Sequence, residues 1–206
     1  MVVCGYRPSV IDGSEHLFTV NESLPLPEKY SYRKFLPRIL DQGSRPICVP
    51  CSVSTYLNWR ENLETGSKSN NGIDYEEIYA SKQIEDEGMT FKEAFSYLRH
   101  HGVSSKKGNL MIKEYALIRS DFQLKAAIFM NGPCFGALPV YNYEPEFWKK
   151  RSGDKLQGYH AIAIVGYDKE GFIIRNSWGT DFADKGYTKI KYEEFKKLME
   201  IWTIIN

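Results

Sequence analysis

Cysteine is scarce in this chain: four in 206 residues, at Cys4, Cys48, Cys51 and Cys134. Four do not make a dense disulfide framework, and a chain of this length can fold without covalent staples. Reduced thiols are therefore expected, which favours a cytoplasmic or virion-associated protein. Net charge is nearly absent too, with 27 Lys and Arg against 26 Asp and Glu. That balance gives no electrostatic reason for a nucleic-acid or membrane partner. The short basic runs Lys106-Lys107 and Lys149-Lys150-Arg151 read as solvated loop charge. Long apolar runs are missing: no segment reaches the ~20 residues that span a bilayer. Met1 to Val20 lacks the basic-then-apolar layout of a secretory signal. His16, His100, His101 and His160 show no ligand spacing with the cysteines, so neither a metal nor a cofactor is expected. Oligomeric state leaves no trace in composition. Aromatic side chains are plentiful, with 14 Tyr and 11 Phe, and are expected to carry much of the core.

Met1 to about Ser23 is polar and irregular and reads as an N-terminal arm (residues 1–23), ahead of one domain at 24–206. Leu24-Pro25-Leu26-Pro27 forces extended backbone, and Asp41-Gln42-Gly43 is turn chemistry. Val49, Val53, Tyr56 and Leu57 recur at helical spacing, predicting a helix from about Cys48 to about Leu63. Pro50 fits only its first turn, where a missing N–H costs nothing, so the helix starts at or beside Cys48. Glu64 to Gly72 reads as a loop. Asp74 caps a helix running to about Gln83. Thr90-Phe91-Lys92-Glu93 opens, with capping-box spacing, a helix ending before Gly102. Asp121 to Met130 is a further helix, closed by Gly132-Pro133. Then the pattern changes. Phe135–Tyr141, His160–Tyr167, Phe172–Arg175, Gly186–Tyr192 and Ile201–Ile205 are short, β-branched and aromatic, and read as antiparallel strands. The segregation predicts an α+β fold of two lobes, mainly helical at about 45–118 and mainly β at about 119–206.

The chemistry centres on Cys48. The thiolate is the reactive form of cysteine; a helix N-terminus and a neighbouring imidazolium both lower the thiol pKa. Pro50 supplies the first device. His160, opening the apolar strand His160-Ala-Ile-Ala-Ile-Val, is the candidate for the second. Asn176 ends the next strand, where its amide can accept from one imidazole nitrogen and turn the other toward the thiol. Gln42 can donate to an oxyanion beside the Cys48 N–H. Trp178 can cover the Asn176–His160 bond from water. Singly, each residue has a bland reading as a buried thiol, a structural histidine or turn residues. Cys48, His160, Asn176 and Gln42 together form a set for thiol catalysis.

Asp41-Gln42-Gly43-Ser44-Arg45-Pro46-Ile47-Cys48, Gly158-Tyr159-His160-Ala161 and Arg175-Asn176-Ser177-Trp178-Gly179-Thr180, followed by Gly186-Tyr187, resemble the three active-site segments of the papain-like cysteine peptidases. The variant is of bacterial or phage type. The resemblance spans roughly Leu24 to Ile205. It implies a papain-like two-lobe fold, a helical lobe facing an antiparallel β-barrel-like lobe across a cleft. It also implies a cysteine endopeptidase acting on protein or peptide substrates through a thioester. Trp178, Ala161, Gly88 and Met89 then match positions on the substrate side of the cleft. There are departures. Arg45 stands where many relatives carry a cysteine that forms a disulfide, and Val49 replaces an aromatic. His160 follows Cys48 by 112 positions and Asn176 by 128, against about 130–150 in the usual pattern. No long inhibitory propeptide is seen ahead of Leu24: either activation does not use one, or it has been removed, or the arm at Met1–Ser23 acts in its place.

Two rival readings set themselves against this one. Cys48-Val49-Pro50-Cys51 is a C-x-x-C at a helix start, as in thiol–disulfide oxidoreductases, but no βαβ surrounds it. A non-catalytic binding or assembly module on a peptidase-like fold is the other.

Overall fold

The computed structural model describes residues 4–70, 72–84 and 88–206. Met1–Val3 of the arm and Asn71 of the loop after the first helix lie outside the described residues.

Helix α1 spans Cys48–Thr65 and begins where Pro50 requires: Pro50 is its third residue, and the first helical bond runs from the Cys51 N–H to the Ile47 carbonyl at 3.0 Å. Gly66 closes it in the left-handed region, at φ 63°. Helix α2, Tyr75–Ala80, is capped by Asp74, whose carboxylate accepts from the Glu76 and Glu77 N–H groups. It stops three residues short of the predicted end at Gln83. The Ser81 N–H and hydroxyl both turn back onto the Ile78 carbonyl, tightening the last turn into a stop. Helix α3, Phe91–His100, opens with a complete Thr90–Glu93 capping box. Helix α4, Asp121–Asn131, has a second box from Ser120 and Gln123.

Nine strands lie among the described residues: β1 Tyr30–Ser31, β2 Val103–Ser105, β3 Gly108–Leu110, β4 Glu114–Leu117, β5 Cys134–Val140, β6 Gly158–Tyr167, β7 Gly171–Arg175, β8 Tyr187–Lys191 and β9 Ile201–Ile205. Strands β2 and β3 form a small hairpin. The rest make one antiparallel sheet in the order β4-β9-β5-β6-β7-β8, with β1 pairing the far end of β6. The fold is α+β, as expected. The β lobe, however, is an open sheet and not a closed barrel: β4 and β8 end it and do not pair with each other among the described residues.

α1 packs on β6, the long central strand. This places the N-terminus of a buried helix beside the start of the strand that carries His160. The core between them is aromatic: Phe91, Phe95, Phe135 and Trp202 are all fully buried, and Phe95 lies 5.3 Å from Phe135 and 6.1 Å from Trp202 between ring centroids. Among its described residues the arm forms no helix or strand of its own. Its residues pair with what they pass: Tyr6 with Met89, and Leu17 with Leu117 of β4. No helix among the described residues is long and apolar enough to cross a membrane.

Candidate active site

His160 is the third residue of β6 and is wholly buried. Its Nε2 lies 2.6 Å from Asn176 Oδ1, just past the end of the adjacent strand β7. An amide oxygen accepts, so Nε2 carries the proton and donates. That leaves Nδ1 as the acceptor nitrogen, buried and without a hydrogen-bond partner. Trp178 covers this pair: its ring centroid is 4.7 Å from the imidazole, and Phe147 (4.8 Å), Phe182 (5.1 Å) and Tyr143 (5.6 Å) hold it there.

Gln42 reaches the same place by another route. Residues 40–42 run antiparallel to 177–179, through the Gln42 N–H to the Ser177 carbonyl (2.9 Å) and the Gly179 N–H to the Leu40 carbonyl (3.2 Å). The Gln42 side chain accepts at Oε1 from the Ser177 hydroxyl at 2.7 Å and donates from Nε2 to the Arg45 carbonyl at 2.9 Å. Ser177 also donates its N–H to Asn176 Oδ1 at 2.7 Å. Gln42, Ser177, Asn176 and His160 thus form one bonded line. Ser177 escaped the sequence reading because a serine after an asparagine reads as turn chemistry.

Cys48 heads α1 and is fully buried. Burial pushes its pKa up to about 11, against backbone hydrogen bonds from Ala161, Gly5 and Val49. This reverses the expectation of a lowered pKa. The helix N-terminus is in place, but the thiol is covered and its histidine is neutral: burial pulls His160 down to about 4, and the Asn176 bond recovers only part of that. Burial thus favours the neutral thiol and the neutral imidazole. Ala161, the residue after His160, meets Cys48 through its backbone, which puts nucleophile and base on facing elements.

The cover is the arm. Met89 receives it on both backbone groups, donating N–H to the Gly5 carbonyl (2.8 Å) and accepting from the Arg7 N–H (3.1 Å). The Arg7 guanidinium donates to the Gly88 carbonyl at 2.8 Å and to Glu93 at 2.7 and 2.9 Å. The approach is so close that neither glycine could carry a side chain. A Cβ on Gly5 would stand 2.1 Å from the Pro46 oxygen, and one on Gly88 2.0 Å from the Gly5 oxygen. On the other wall, a Cβ on Gly158 would stand 2.8 Å from Cys4 Cβ. The arm thus crosses from the His160 wall to the Gly88–Met89 wall, over Cys48. An open cavity of about 640 Å³ lies elsewhere, lined by Arg33, Asp168, Asp184, Tyr187 and Lys189 among others. No pattern in Cys4-Gly5-Tyr6-Arg7 announces this placement.

Cys51 sits one turn inside α1, and burial pushes its pKa well above the usual thiol range. All four cysteines are free. A resolving thiol must be reachable, so the oxidoreductase reading of Cys48–Cys51 finds no support. No group of metal-ligating side chains occurs among the described residues.

Comparison with known proteins identifies the family. The model of the papain family cysteine proteases matches residues 58–201, which include His160 and Asn176; Gln42 and Cys48 precede the matched stretch. The chain belongs to the papain family of cysteine proteases. A gut-specific cysteine proteinase of Caenorhabditis elegans is 31% identical over 110 residues, covering 48% of this chain and 30% of that protein. Cathepsin B-like cysteine proteinase 1 of Haemonchus contortus is 32% identical over 84 residues, covering 37% and 24%. The matches thus span less than a third of these relatives' length. Among solved structures, xylellain, a cysteine protease from Xylella fastidiosa, superposes with a TM-score of 0.81 at 23% identity, covering 98% of this chain and 96% of that one. Procathepsin B S9 from Trypanosoma congolense gives 0.74 at 16% identity, covering 99% and 87%.

Proposed function

We propose that the chain is a cysteine endopeptidase that hydrolyses peptide bonds through a thioester. The observation that carries this reading is the bonded line Gln42–Ser177–Asn176–His160, which leaves Nδ1 of a neutral imidazole as a ready proton acceptor in the cleft that Cys48 heads. His160 takes the thiol proton as Cys48 attacks the peptide carbonyl carbon and the C–S bond forms. The Cys48 N–H and the Gln42 amide stabilise the oxyanion; a donor of this kind is worth about 10²–10³ in turnover. The C–N bond breaks as His160 gives its proton to the departing amine. Water then attacks the thioester, losing its proton to His160, and the thiol is restored.

Residues 4–9 stand where a peptide would have to lie to present a carbonyl to Cys48, so the covered form is the resting one and the arm must lift for turnover. Four free thiols support a reducing compartment. The test uses the full chain carrying Tyr6→Ala to loosen the arm, with denatured casein as substrate. Cleavage is expected, with none in the added Cys48→Ala variant, and iodoacetamide labelling of Cys48 should slow in His160→Ala. Casein cleavage that survives Cys48→Ala, or labelling indifferent to His160, overturns the proposal.

A further inference from the structure

Of the four cysteines, Cys4 alone is only half-buried, and the thioester chemistry does not use it. The arm is seated by other groups. The Tyr6 ring lies 5.5 Å from that of Phe91, and its hydroxyl donates to Glu200, as does the Ser9 N–H. Arg7 holds Glu93 and the Gly88 carbonyl. None of these contacts calls for a thiol at position 4.

What Cys4 has is its place. The next residue, Gly5, brings its backbone N–H to the Cys48 sulfur. On its other side Cys4 rests on Gly158, the first residue of β6 and two before His160; a Cβ there would stand 3.3 Å from the Cys4 sulfur. Burial first, and Cys4 after it, push the Cys48 thiol up, so the two sulfurs lie close enough to feel each other's charge. A disulfide needs Cα atoms within about 7 Å, and one residue of chain separates Cys4 from the amide on the Cys48 sulfur. Cys51 is the other thiol near Cys48, but it lies inside α1 at 3% exposure. Exchange begins at the thiol that an oxidant can reach, and that is Cys4.

We propose that Cys4 is a redox-modification site, whose oxidation by a small disulfide ties the arm to Cys48 and closes the cleft covalently. The Cys4 thiolate attacks the small disulfide RSSR, forms a mixed disulfide and displaces RS⁻. Cys48 then attacks the Cys4 sulfur while His160 Nδ1 takes its proton, and the second RS⁻ leaves. Two protein thiols and one RSSR become one protein disulfide and two RSH. The protein loses two electrons, the small disulfide gains them, and the two thiol protons end on RSH. A reducing dithiol reverses the exchange, entering at Cys4.

The inhibitory consequence rests on the peptidase reading, and the test separates the two. The full chain is held with oxidised glutathione at about 0.1 mM, below the millimolar effective concentration of a tethered thiol. Remaining thiols are blocked with iodoacetamide in urea, and linked peptides are mapped by mass spectrometry without reductant. A Cys4–Cys48 link is expected in about 10-fold excess over glutathione left on either residue, unaltered in Cys51→Ser and absent in Cys4→Ser. A Cys48–Cys51 link, or glutathione on Cys48 in place of a link, overturns the proposal. The same treatment of Tyr6→Ala reads the consequence: casein cleavage should fall about 10-fold as the link forms, and dithiothreitol should restore it. Linked protein that cuts casein at the unlinked rate also overturns it. A mapped link with no cleavage before oxidation or after dithiothreitol overturns the peptidase and leaves the modification site.

Discussion

The Ser177 hydroxyl donates to Gln42 Oε1 at 2.7 Å across 135 positions of chain. The same residue's N–H holds Asn176 Oδ1. One small side chain thus ties the oxyanion side of the cleft to the side that orients the base. Removing it should loosen Gln42 without touching the substrate. Ser177→Ala is expected to lower kcat about 10-fold, the weight of one neutral hydrogen bond, with KM nearly unchanged and recovery in Ser177→Thr. Steady-state kinetics in a Tyr6→Ala background checks this; a change confined to KM would place Ser177 in binding instead.

Tyr6→Phe deletes one oxygen and keeps the ring against Phe91. The loss of its bond to Glu200 should let the arm lift more often. Iodoacetamide should then reach Cys48 several-fold faster at pH 7. The apparent thiol pKa, raised to about 11 by burial, should move down, because exposure relieves the burial. Labelling rates followed from pH 6 to 11 report both; superimposable profiles for the two proteins would mean this bond does not hold the cover.

His160 makes stability fall in acid. Burial lowers its folded pKa to about 4, while an unfolded imidazole titrates near 6.5. Between those values the unfolded chain holds a proton that the folded chain refuses. Stability is therefore lost as pH drops from about 6.5 toward 4, by about 3 kcal/mol in full. Urea melts at pH 7 and 4.5 measure it. His160→Gln, which cannot titrate, should lose that part of the slope.

Arg45 and Glu76 form a two-pronged ion pair linking the loop before Cys48 to α2. It occupies the position where the resemblance to papain relatives would place a disulfide cysteine. Both side chains are about half exposed, so the pair should contribute under about 1 kcal/mol. A double-mutant cycle on Arg45→Ala and Glu76→Ala, run at low and high salt, should show a small coupling that salt erases. A coupling of 2 kcal/mol or more would mean the loop depends on it as on a covalent link.

What could be read from sequence was local. Pro50 marks the start of α1 because proline tolerates one place in a helix. Thr90 and Glu93 mark α3 because a capping box is a four-residue device. Asn176-Ser177-Trp178 announces itself because few structural roles ask for that order. What escaped was held by distant partners. Tyr6 meets Glu200 across 194 positions, and Glu200 in Met-Glu-Ile-Trp reads as a charge flanking a strand. Strands β2, β3 and β4 are three or four residues long, too short for alternation to show. The raised pKa of Cys48 depends on a cover that no motif near Cys48 describes.

The arm is anchored beyond the part that fills the cleft. The Leu117 N–H reaches the His16 carbonyl at 2.8 Å and the Phe18 N–H reaches the Leu117 carbonyl at 2.9 Å, and the chain that follows the arm pairs at Tyr30–Ser31 with β6, the strand of the histidine. Lifted, residues 4–9 stay leashed within reach, at an effective concentration of order millimolar. Reseating is then unimolecular and indifferent to dilution. One cut between Ser9 and His16 changes its order: the severed piece must find the cleft from bulk solution, at whatever concentration the protein happens to have. A single hydrolysed bond in the leash would turn a reversible cover into a one-way clock.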